Sequence, residues 1–383
     1  MEYKKIEELT TVVTGGTPST GKKEYWENGD IPWLQSGCCQ NCDVDSTEKY
    51  ITQEGYDNSS ARIMPPNTVM IALTGATAGK VGYLNFEACG NQSITGILPC
   101  DSLNQRYLFY YLLAQRDKIL NDCVGGAQAH ISQGYVKNIK IPVLSLAEQE
   151  HVVQILTKLF DIIIARQKEI CALDDLIKAR FVEMFGDPVS NPYGYNKVAL
   201  SDLADIKIGP FGSLLHKEDY IEGGHPLLNP SHIVEGKVSP DDKLTISDEK
   251  YEELSAYQLK AGDVVLGRRG EMGRCAVVSE EGFLCGTGSI LIRTKGEVTA
   301  DYIQKIISFP SFKKTIEDMA VGQTMPNLNV PIVASFQIIK PPVEVQNSYY
   351  VFVEQVDKSK VAVQKALDET KLLFDSLMQQ YFG

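Results

Sequence analysis

A short basic stretch is the part of this sequence whose residue types most clearly predict chemistry. Arg268, Arg269 and Arg274 stand among the glycines of residues 267–273. A guanidinium group presents a planar fork of donors that can bind two phosphate oxygens or the edge of a guanine, and glycine lets the backbone approach a ligand closely. A solvated turn is the simpler interpretation. A glycine-rich loop at the corresponding place in the first half of the chain, residues 74–80, favours contact with nucleic acid instead.

Other groups that could bind a metal or a nucleotide form weak patterns. Cys39 and Cys42 make one C-x-x-C pair, whereas a structural zinc site usually needs two such pairs. Residues 75–80 lack the G-x-x-x-x-G-K-[ST] pattern of a phosphate-binding loop. Residues 191–193, Asn-Pro-Tyr, are similar to the Asn-Pro-Pro-Tyr signature of amino-methylating enzymes, but we interpret them as a linker turn. We expect no catalytic centre, no cofactor and no metal.

Two long helical stretches must position the loops that carry these residues. Apolar residues recur at steps of three and four through residues 146–187, and neither proline nor glycine occurs from Ala147 to Phe185. This 3.5-residue repeat predicts a long helix that packs along a partner helix. The same pattern returns 197 residues later, from Tyr349 to Tyr381, so we predict that the two helices form one antiparallel pair. Four polar residues also fall on the seam: Arg166, Arg180, Lys360 and Thr370.

The parts of the chain before the two helices repeat as well. The order strand, glycine-rich loop, strand, helix, loop, strand and long helix is predicted in both halves, with residues 74–80 matching 267–274 and residues 124–132 matching 321–329. A register sustained over so many elements indicates two copies of one structural unit. We therefore predict an α+β protein with two α/β domains in tandem, each followed by a long helix, and the two helices forming an antiparallel coiled coil.

The predicted boundaries follow from this repeat: a first globular domain at 1–145, a central helical spacer at 146–187, a second globular domain at 188–342 and a distal helical spacer at 343–383. The chain of 383 residues has a formal net charge of −12 and nine cysteines without a disulfide-like spacing. No apolar run is long enough to span a membrane, so we expect a cytoplasmic protein with reduced thiols and no membrane contact. The acidic balance argues against indiscriminate coating of nucleic acid, so DNA contact must come from particular loops.

In combination, several motifs resemble the specificity subunit of Type I restriction-modification enzymes. Residues 146–149 (Leu-Ala-Glu-Gln) open the first helix and residues 184–187 (Met-Phe-Gly-Asp) close it. Residues 322–329 (Gly-Gln-Thr-Met-Pro-Asn-Leu-Asn) are similar to the recurrent Gly-x-Thr-x-Pro-Asn-Leu-Asn of that family, and residues 16–19 and 209–215 match its recurrent openings. The second helix departs from the pattern by opening with Val-Glu-Val-Gln at 343–346, and residues 127–130 lack the proline.

The resemblance implies a non-catalytic subunit that reads a bipartite target in double-stranded DNA, with one globular domain for each half-site. It also implies that modification (methyltransferase) subunits dock along the helical spacer, and that restriction subunits, ATP-dependent translocases and nucleases, join the full complex. Two alternatives remain at this point: a non-catalytic coiled-coil scaffold that does not contact DNA, and a recognition fragment of a fused methyltransferase-nuclease.

The residues that we expect to contact DNA lie in the polar and glycine-rich loops of the two globular domains. In the first domain they are Thr17, Ser19, Gln35, Ser36, Thr74, Thr77, Lys80, Gln92, Gln128 and His130. In the second domain they are Ser213, His216, Lys217, Asn229, Ser231, Arg268, Arg269, Arg274, Gln323 and Asn327.

Overall fold

A computed structural model of the chain describes residues 2–122, 130–320 and 327–383. These residues form two compact units. Unit 1 comprises Met1–Glu169 and Val363–Gly383, and unit 2 comprises Ile170–Ala362. Each unit thus contains one globular part and a portion of each long helix.

Unit 1 is built from short strands and helices. Its strands are β1 (Glu2–Lys5), β2 (Val12–Thr14), β3 (Ile31–Leu34), β4 (Cys42–Val44), β5 (Tyr50–Ile51), β6 (Ile63–Met64), β7 (Thr68–Ala72), β8 (Val81–Leu84), β9 (Ala88–Gly90), β10 (Ile94–Ile97) and β11 (Lys140–Val143). Its helices are α1 (Ile6–Leu9), α2 (Gln53–Asp57), α3 (Gln105–Ala114), α4 (Arg116–Asp122), α5 (Gln133–Asn138) and the first part of α6 (Leu146–Phe185).

The main sheet of unit 1 has the order β2-β10-β7-β8-β4, and a second sheet has the order β5-β3-β9-β6. Strand β7 (Thr-Val-Met-Ile-Ala) is buried at every position, as its continuous run of β-formers predicts for a strand covered on both faces. It pairs antiparallel with β8 and β10. The carboxyl end of β7 leads directly into the glycine-rich loop at 74–80, so this central strand positions that loop.

Unit 2 has strands β12 (Lys197–Ala199), β13 (Ala204–Ile208), β14 (Tyr220–Ile221), β15 (His225–Leu228), β16 (Ile233–Val234), β17 (Lys237–Val238), β18 (Thr245–Ile246), β19 (Val264–Gly267), β20 (Cys275–Val277), β21 (Leu284–Cys285), β22 (Ser289–Thr294) and β23 (Gln337–Ile339). Its helices are α7 (Leu200–Leu203), α8 (Asp248–Glu253), α9 (Ala300–Ser308), α10 (Pro310–Met319), α11 (Val330–Ala334), the last part of α6 and the first part of α12 (Val343–Phe382).

The sheet orders of the two units confirm the repeat that the sequence predicts. The main sheet of unit 2 is β13-β22-β19-β20, which corresponds strand by strand to β2-β10-β7-β8 in unit 1. Strand β19 takes the place of β7, is buried throughout and leads into residues 267–274. In both units the strand that follows this loop, β8 or β20, returns antiparallel beside it.

The long helices run over the predicted stretches, and each contains 40 residues. In unit 1 the first part of α6 packs on the last part of α12, where the rings of Phe160 and Phe374 lie 6.1 Å apart. In unit 2 the last part of α6 packs on the first part of α12, where Tyr349 donates a hydrogen bond of 3.3 Å to the carbonyl of Ile177. These contacts make the pair antiparallel. Every predicted seam position is buried or half-buried, as a coiled-coil seam requires.

The ends of the two helices dock in the same way on the globular parts. Phe185, near the end of α6, lies 5.2 Å from the ring of Tyr302 in unit 2. Phe382, near the end of α12, lies 5.3 Å from Tyr107 and 5.6 Å from Tyr111 in unit 1. These edge-on aromatic contacts explain why both helices end in an aromatic residue.

Two buried glutamines fix the starts of the long helices. In unit 1 the side chain of Gln149 accepts a hydrogen bond from the N–H of Asn104 at 2.8 Å and donates one to the carbonyl of Leu144 at 2.9 Å. The equivalent contacts in unit 2 join Gln346 to the N–H of Thr299 (3.0 Å) and the carbonyl of Pro341 (2.9 Å). The two openings, Leu-Ala-Glu-Gln and Val-Glu-Val-Gln, therefore share the residue that makes the tertiary contacts.

One predicted helix is interrupted. The pattern from Tyr107 to Leu120 predicts a single amphipathic helix, but the structure has α3 and α4 separated at Gln115. The side chain of Gln115 donates a hydrogen bond of 2.9 Å to the carbonyl of Phe382. This contact binds the end of α12 at the break between α3 and α4. Within residues 2–122, 130–320 and 327–383, no helix combines the length and hydropathy needed to cross a membrane.

Candidate nucleic-acid interface

The glycine-rich loop of unit 2 begins at Arg268, whose backbone is held on both sides. Its N–H donates to the carbonyl of Gly288 at 3.0 Å, and its carbonyl accepts from the N–H of Leu328 at 2.9 Å. Next to it, Arg269 and Asn327 form an isolated antiparallel bridge. Three segments distant in sequence therefore meet at the end of β19, and we call this arrangement the loop frame. The loop can turn back into β20 because Gly270 adopts a φ of 80°, which other residues rarely adopt.

The side chain of Arg268 is oriented but not neutralised. Its Nε donates a hydrogen bond of 3.1 Å to Oδ1 of Asn327. Among the described residues no carboxylate pairs with it, and it is half-buried. Burial, and secondly the charge of Arg269, lower the pKa of Arg268 from its ordinary value, although an arginine stays charged near neutral pH. Arg269 itself is exposed, and its side chain has no hydrogen-bond or ion-pair partner in the described part of the chain.

Arg274 differs from the other two arginines because its charge is already paired. Its Nε and Nη2 donate to Oε2 of Glu271 at 3.2 and 2.8 Å, and its Nη1 donates to the carbonyl of Pro230 at 3.4 Å. Glu271 also pairs with Lys313 at 2.9 Å. Hydrogen bonds from Lys313 and Arg274 lower the pKa of the Glu271 carboxyl. The cluster that the sequence groups together thus contains one internal ion pair and two cations that have no carboxylate partner in the described ranges.

Unit 1 contains the same loop frame, with Leu73 and Thr74 in the places of the two arginines. Leu73 donates its N–H to the carbonyl of Ser93 at 2.8 Å and accepts from the N–H of Ile131 at 2.9 Å. Thr74 and His130 form the isolated bridge that Arg269 and Asn327 form in unit 2. The predicted correspondence between the paired loops therefore holds in the backbone, while the side chains that the frame presents differ.

Further polar side chains of unit 1 lie near this frame or on the neighbouring sheet. Thr17 donates a hydrogen bond to the side chain of Gln92. Lys80 donates to the side-chain oxygen of Gln40 at 2.7 Å. Gln35 accepts a hydrogen bond of 2.8 Å from another lysine, Lys49. Sequence reasoning missed Gln40 and Lys49, because only the tertiary fold places them beside predicted residues.

The remaining predicted residues are less closely connected. Thr77 shares the loop of Thr74 and Lys80, and its carbonyl accepts from the N–H of Lys80 at 2.8 Å. In unit 2, Asn229 belongs to the loop frame because its Oδ1 accepts a hydrogen bond of 3.2 Å from the N–H of Gly288.

Other predicted residues are not joined to either frame by a side-chain hydrogen bond or ion pair among the described residues: Ser19, Ser36, Ser213, His216, Lys217 and Ser231. All of these are exposed except Ser36, which is half-buried. Gln128 and Gln323 fall within 123–129 and 321–326 and lie outside the described residues.

In the described parts of the chain, no three His, Cys, Asp or Glu side chains are grouped so that they could hold a metal ion. The cysteines of these parts are free thiols. Cys39, one half of the C-x-x-C pair, is fully buried, and hydrogen bonding with Cys38 together with burial raises its pKa. A thiol that is held protonated is a poor metal ligand.

Comparison with known proteins agrees with this architecture. A family model for the Type I restriction modification DNA specificity domain matches residues 1–172 and 192–370. The specificity subunit of the Type I restriction enzyme EcoR124I/EcoR124II from Escherichia coli is 33% identical over 163 residues, which are 41% of this chain and 40% of that protein. The MjaIX specificity subunit from Methanocaldococcus jannaschii is 25% identical over 405 residues, covering 98% of this chain and 91% of that protein.

A solved structure has a similar fold over the whole chain. The S subunit of a Type I restriction-modification system from M. genitalium has a TM-score of 0.59 at 15% identity, covering 100% of this chain and 96% of that chain. At 15% identity the structural similarity shows a shared fold. The family model, which matches this chain in two places, shows that the chain is related to that family. The chain therefore belongs to the family of Type I restriction-modification specificity subunits and carries two tandem DNA specificity domains.

Proposed function

We propose that this chain is a non-catalytic subunit that recognises a bipartite target in double-stranded DNA, one half-site for each globular domain. The observation that carries the proposal is the loop frame, which recurs in both units with the same backbone hydrogen bonds and with different side chains. A constant backbone with variable side chains is what two readers of different base sequences need, because hydrogen bonds and apolar contacts to base edges specify sequence. The proposed domains are 1–145 and 188–342, with helical spacers at 146–187 and 343–383.

The distribution of charge supports local contact with DNA. The chain has a formal net charge of −12, so a DNA backbone is repelled by the protein as a whole. Arg268 and Arg269 nevertheless present two cations without a carboxylate partner among the described residues. Positive charge left unpaired at a loop frame in an acidic protein favours a specific site over general coating of DNA.

We infer that modification subunits dock on the helical spacers and that the full complex includes restriction subunits. In this proposal, methylation and ATP-driven cleavage belong to those partner chains. Large apolar side chains on the outer faces of the helices support docking, since exposed apolar surface on a long helix is typical of a protein interface. In unit 1 these side chains include Ile162 (40% exposed) and Leu372 (75%), and in unit 2 Leu176 (46%) and Val351 (58%). The free thiols are compatible with action in the cytoplasm.

A selection experiment tests this function. The chain, purified with its modification subunit, is incubated with random-sequence duplexes, and the retained DNA is sequenced. We expect a motif in two parts separated by a gap of fixed length. Retention of DNA without any sequence preference, or a motif in one part only, would contradict the proposal.

A further inference from the structure

One position of the loop frame differs in chemistry between the two units. Leu73 in unit 1 and Arg268 in unit 2 make the same pair of backbone hydrogen bonds, one through the N–H and one through the carbonyl. Leu73 is buried, with 4% of its surface exposed, whereas Arg268 is half-buried and carries a charge. A buried leucine completes the frame, so the fold itself does not need a cation here. The arginine therefore serves something other than the fold of unit 2.

The surroundings of Arg268 orient its guanidinium group without cancelling its charge. An arginine that only stabilises a fold is commonly paired with a carboxylate, as Arg274 is with Glu271 in the same loop. Arg268 instead donates its Nε to the neutral amide oxygen of Asn327. Its two terminal amino groups have no acceptor among the described residues. Two parallel donors are thus held at a fixed place, partly removed from water and available to a ligand.

Guanine fits this arrangement better than phosphate. An arginine binds the O6 and N7 acceptors of guanine with two hydrogen bonds, and this contact needs a planar fork at a defined position and angle. Hydrogen bonds fix both the backbone and the Nε of Arg268, so the position and angle of its guanidinium fork are defined. A phosphate contact tolerates a mobile side chain. The exposed Arg269, which lacks an anchoring partner in the described residues, has the character of such a contact.

We propose that Arg268 reads a guanine in the half-site bound by unit 2, that Asn327 is the positioning residue for its guanidinium, and that Arg269 binds a neighbouring phosphate. This inference rests on the proposed function and adds the base and the roles of the three residues. The corresponding position of unit 1 holds Leu73, so the half-site read by unit 1 has no guanine contacted in this way.

The test is the sequence selection described above, repeated with variants of the complex and followed by affinity measurements over a range of salt concentrations. With the unaltered complex, one half of the motif contains a position that is nearly always guanine. Arg268→Ala and Arg268→Lys both make that position degenerate and leave the others unchanged, because a lysine lacks the fork. Affinity for the preferred sequence falls about ten- to hundredfold.

The other variants separate the proposed roles. Asn327→Ala weakens the guanine preference less than Arg268→Ala does, because the fork remains but is no longer held. Arg269→Ala keeps the guanine preference, weakens binding to all sequences and lowers the slope of log affinity against log salt by about one. Lys295→Ala is the control, since it removes an equal charge from unit 2 at a residue that pairs with Asp205 and is not among the expected DNA contacts, and it leaves base preference unchanged.

Three outcomes overturn the inference. The first is a two-part motif in which no guanine depends on Arg268. This result refutes the inference and leaves the proposed function intact. The second is a uniform loss of affinity with a lower salt slope in Arg268→Ala, which assigns Arg268 to a phosphate. The third is the absence of any selected motif, which removes the proposed function together with the inference. Circular dichroism and thermal unfolding establish that each variant is folded. Arg268→Lys is a second control, because it keeps the positive charge at this position.

Discussion

Arg166 on α6 donates a hydrogen bond through Nη1 to Oγ1 of Thr370 on α12, and both residues lie on the seam between the helices. Oγ1 of Thr370 in turn donates a hydrogen bond of 2.7 Å to the carbonyl of Ala366. In unit 2 another polar seam residue, Lys360, pairs with Asp174 of α6. Arg180, the fourth polar seam residue, pairs with Glu183 of its own helix at 2.7 Å, whereas Arg166, Thr370 and Lys360 are paired with the opposite helix. Sliding the helices by one heptad would separate these partners, so the contacts specify the register of the pair.

Replacing Arg166 with alanine should lower the free energy of unfolding by about 1–3 kcal/mol, because hydrogen bonds from a charged group across the seam are lost. The double variant Arg166→Leu, Thr370→Val should recover most of that loss, since apolar residues of suitable volume can replace a buried polar pair. Urea unfolding followed by circular dichroism measures both. Lys158→Ala, an exposed substitution on the same helix, is the control and should change stability by less than about 0.5 kcal/mol. Equal stability of Arg166→Ala and the unaltered chain would show that the contact does not stabilise the pair.

The long helices and the duplication were predictable because their signals are local and repeated. A 3.5-residue apolar period determines the buried face of a helix wherever the partner lies, and the 197-residue register carries the same elements into the second half. The strands β7 and β19 were predictable for a similar reason, as continuous apolar runs followed by glycine-rich loops.

The contacts that join distant segments were not predictable from local patterns. The pattern of apolar residues does not predict that Gln115 interrupts a helix, or that its side chain binds the end of α12. Three arginines in one loop look equivalent in sequence, yet Glu271 neutralises Arg274 and Asn327 orients Arg268. These differences depend on which side chains the tertiary fold brings within hydrogen-bonding distance. Gln149 and Gln346 could have been found, because they are the one residue that the two helix openings share at matching positions.

Those two glutamines give a paired prediction. Gln149 and Gln346 are 1% and 0% exposed, and each satisfies one backbone N–H and one backbone carbonyl. Gln149→Leu and Gln346→Leu should each lower the free energy of unfolding by about 2–5 kcal/mol, because two buried polar groups lose their partners. The exposed Gln154→Leu on α6 is the matched control and should have little effect. A large loss in one unit with none in the other would contradict the equivalence of the two contacts.

The stability of unit 1 should fall at alkaline pH because of a buried tyrosine. Burial raises the pKa of Tyr111 to about 12, and its hydroxyl donates a hydrogen bond of 2.6 Å to the carbonyl of Lys140. The pKa of an exposed tyrosine in the unfolded chain is about 10. The protonated tyrosine therefore stabilises the folded state fully below about pH 10, and this contribution is lost as pH rises towards 12.

Unfolding experiments between pH 8 and pH 12 check this prediction, with tyrosinate absorbance and circular dichroism recorded together. We expect the free energy of unfolding to decrease above about pH 10 and the decrease to be smaller in Tyr111→Phe. The control is Tyr3→Phe, since Tyr3 is exposed. Ionisation of all tyrosines near pH 10 without any change in the fold would contradict the prediction.

Removing the charge of Glu271 should strengthen the binding of DNA to unit 2 without changing which sequence is read. The Glu271 carboxylate holds Arg274 at 2.8 Å and Lys313 at 2.9 Å, so Glu271→Gln releases two cations beside the loop frame. If these cations reach phosphates, affinity at low salt rises for all sequences and the salt slope steepens by about one to two. The selected motif stays the same, because neither cation is held in the orientation that base reading needs.

Since its two partners lower the pKa of Glu271, the carboxylate stays ionised from pH 8 down to pH 5, and this mechanism adds no pH dependence to binding over that range. Glu297→Gln, which removes an equal charge from unit 2 but frees Lys340 instead, is the matched control. Identical salt slopes for the two variants would mean that residues 271–274 do not face the DNA.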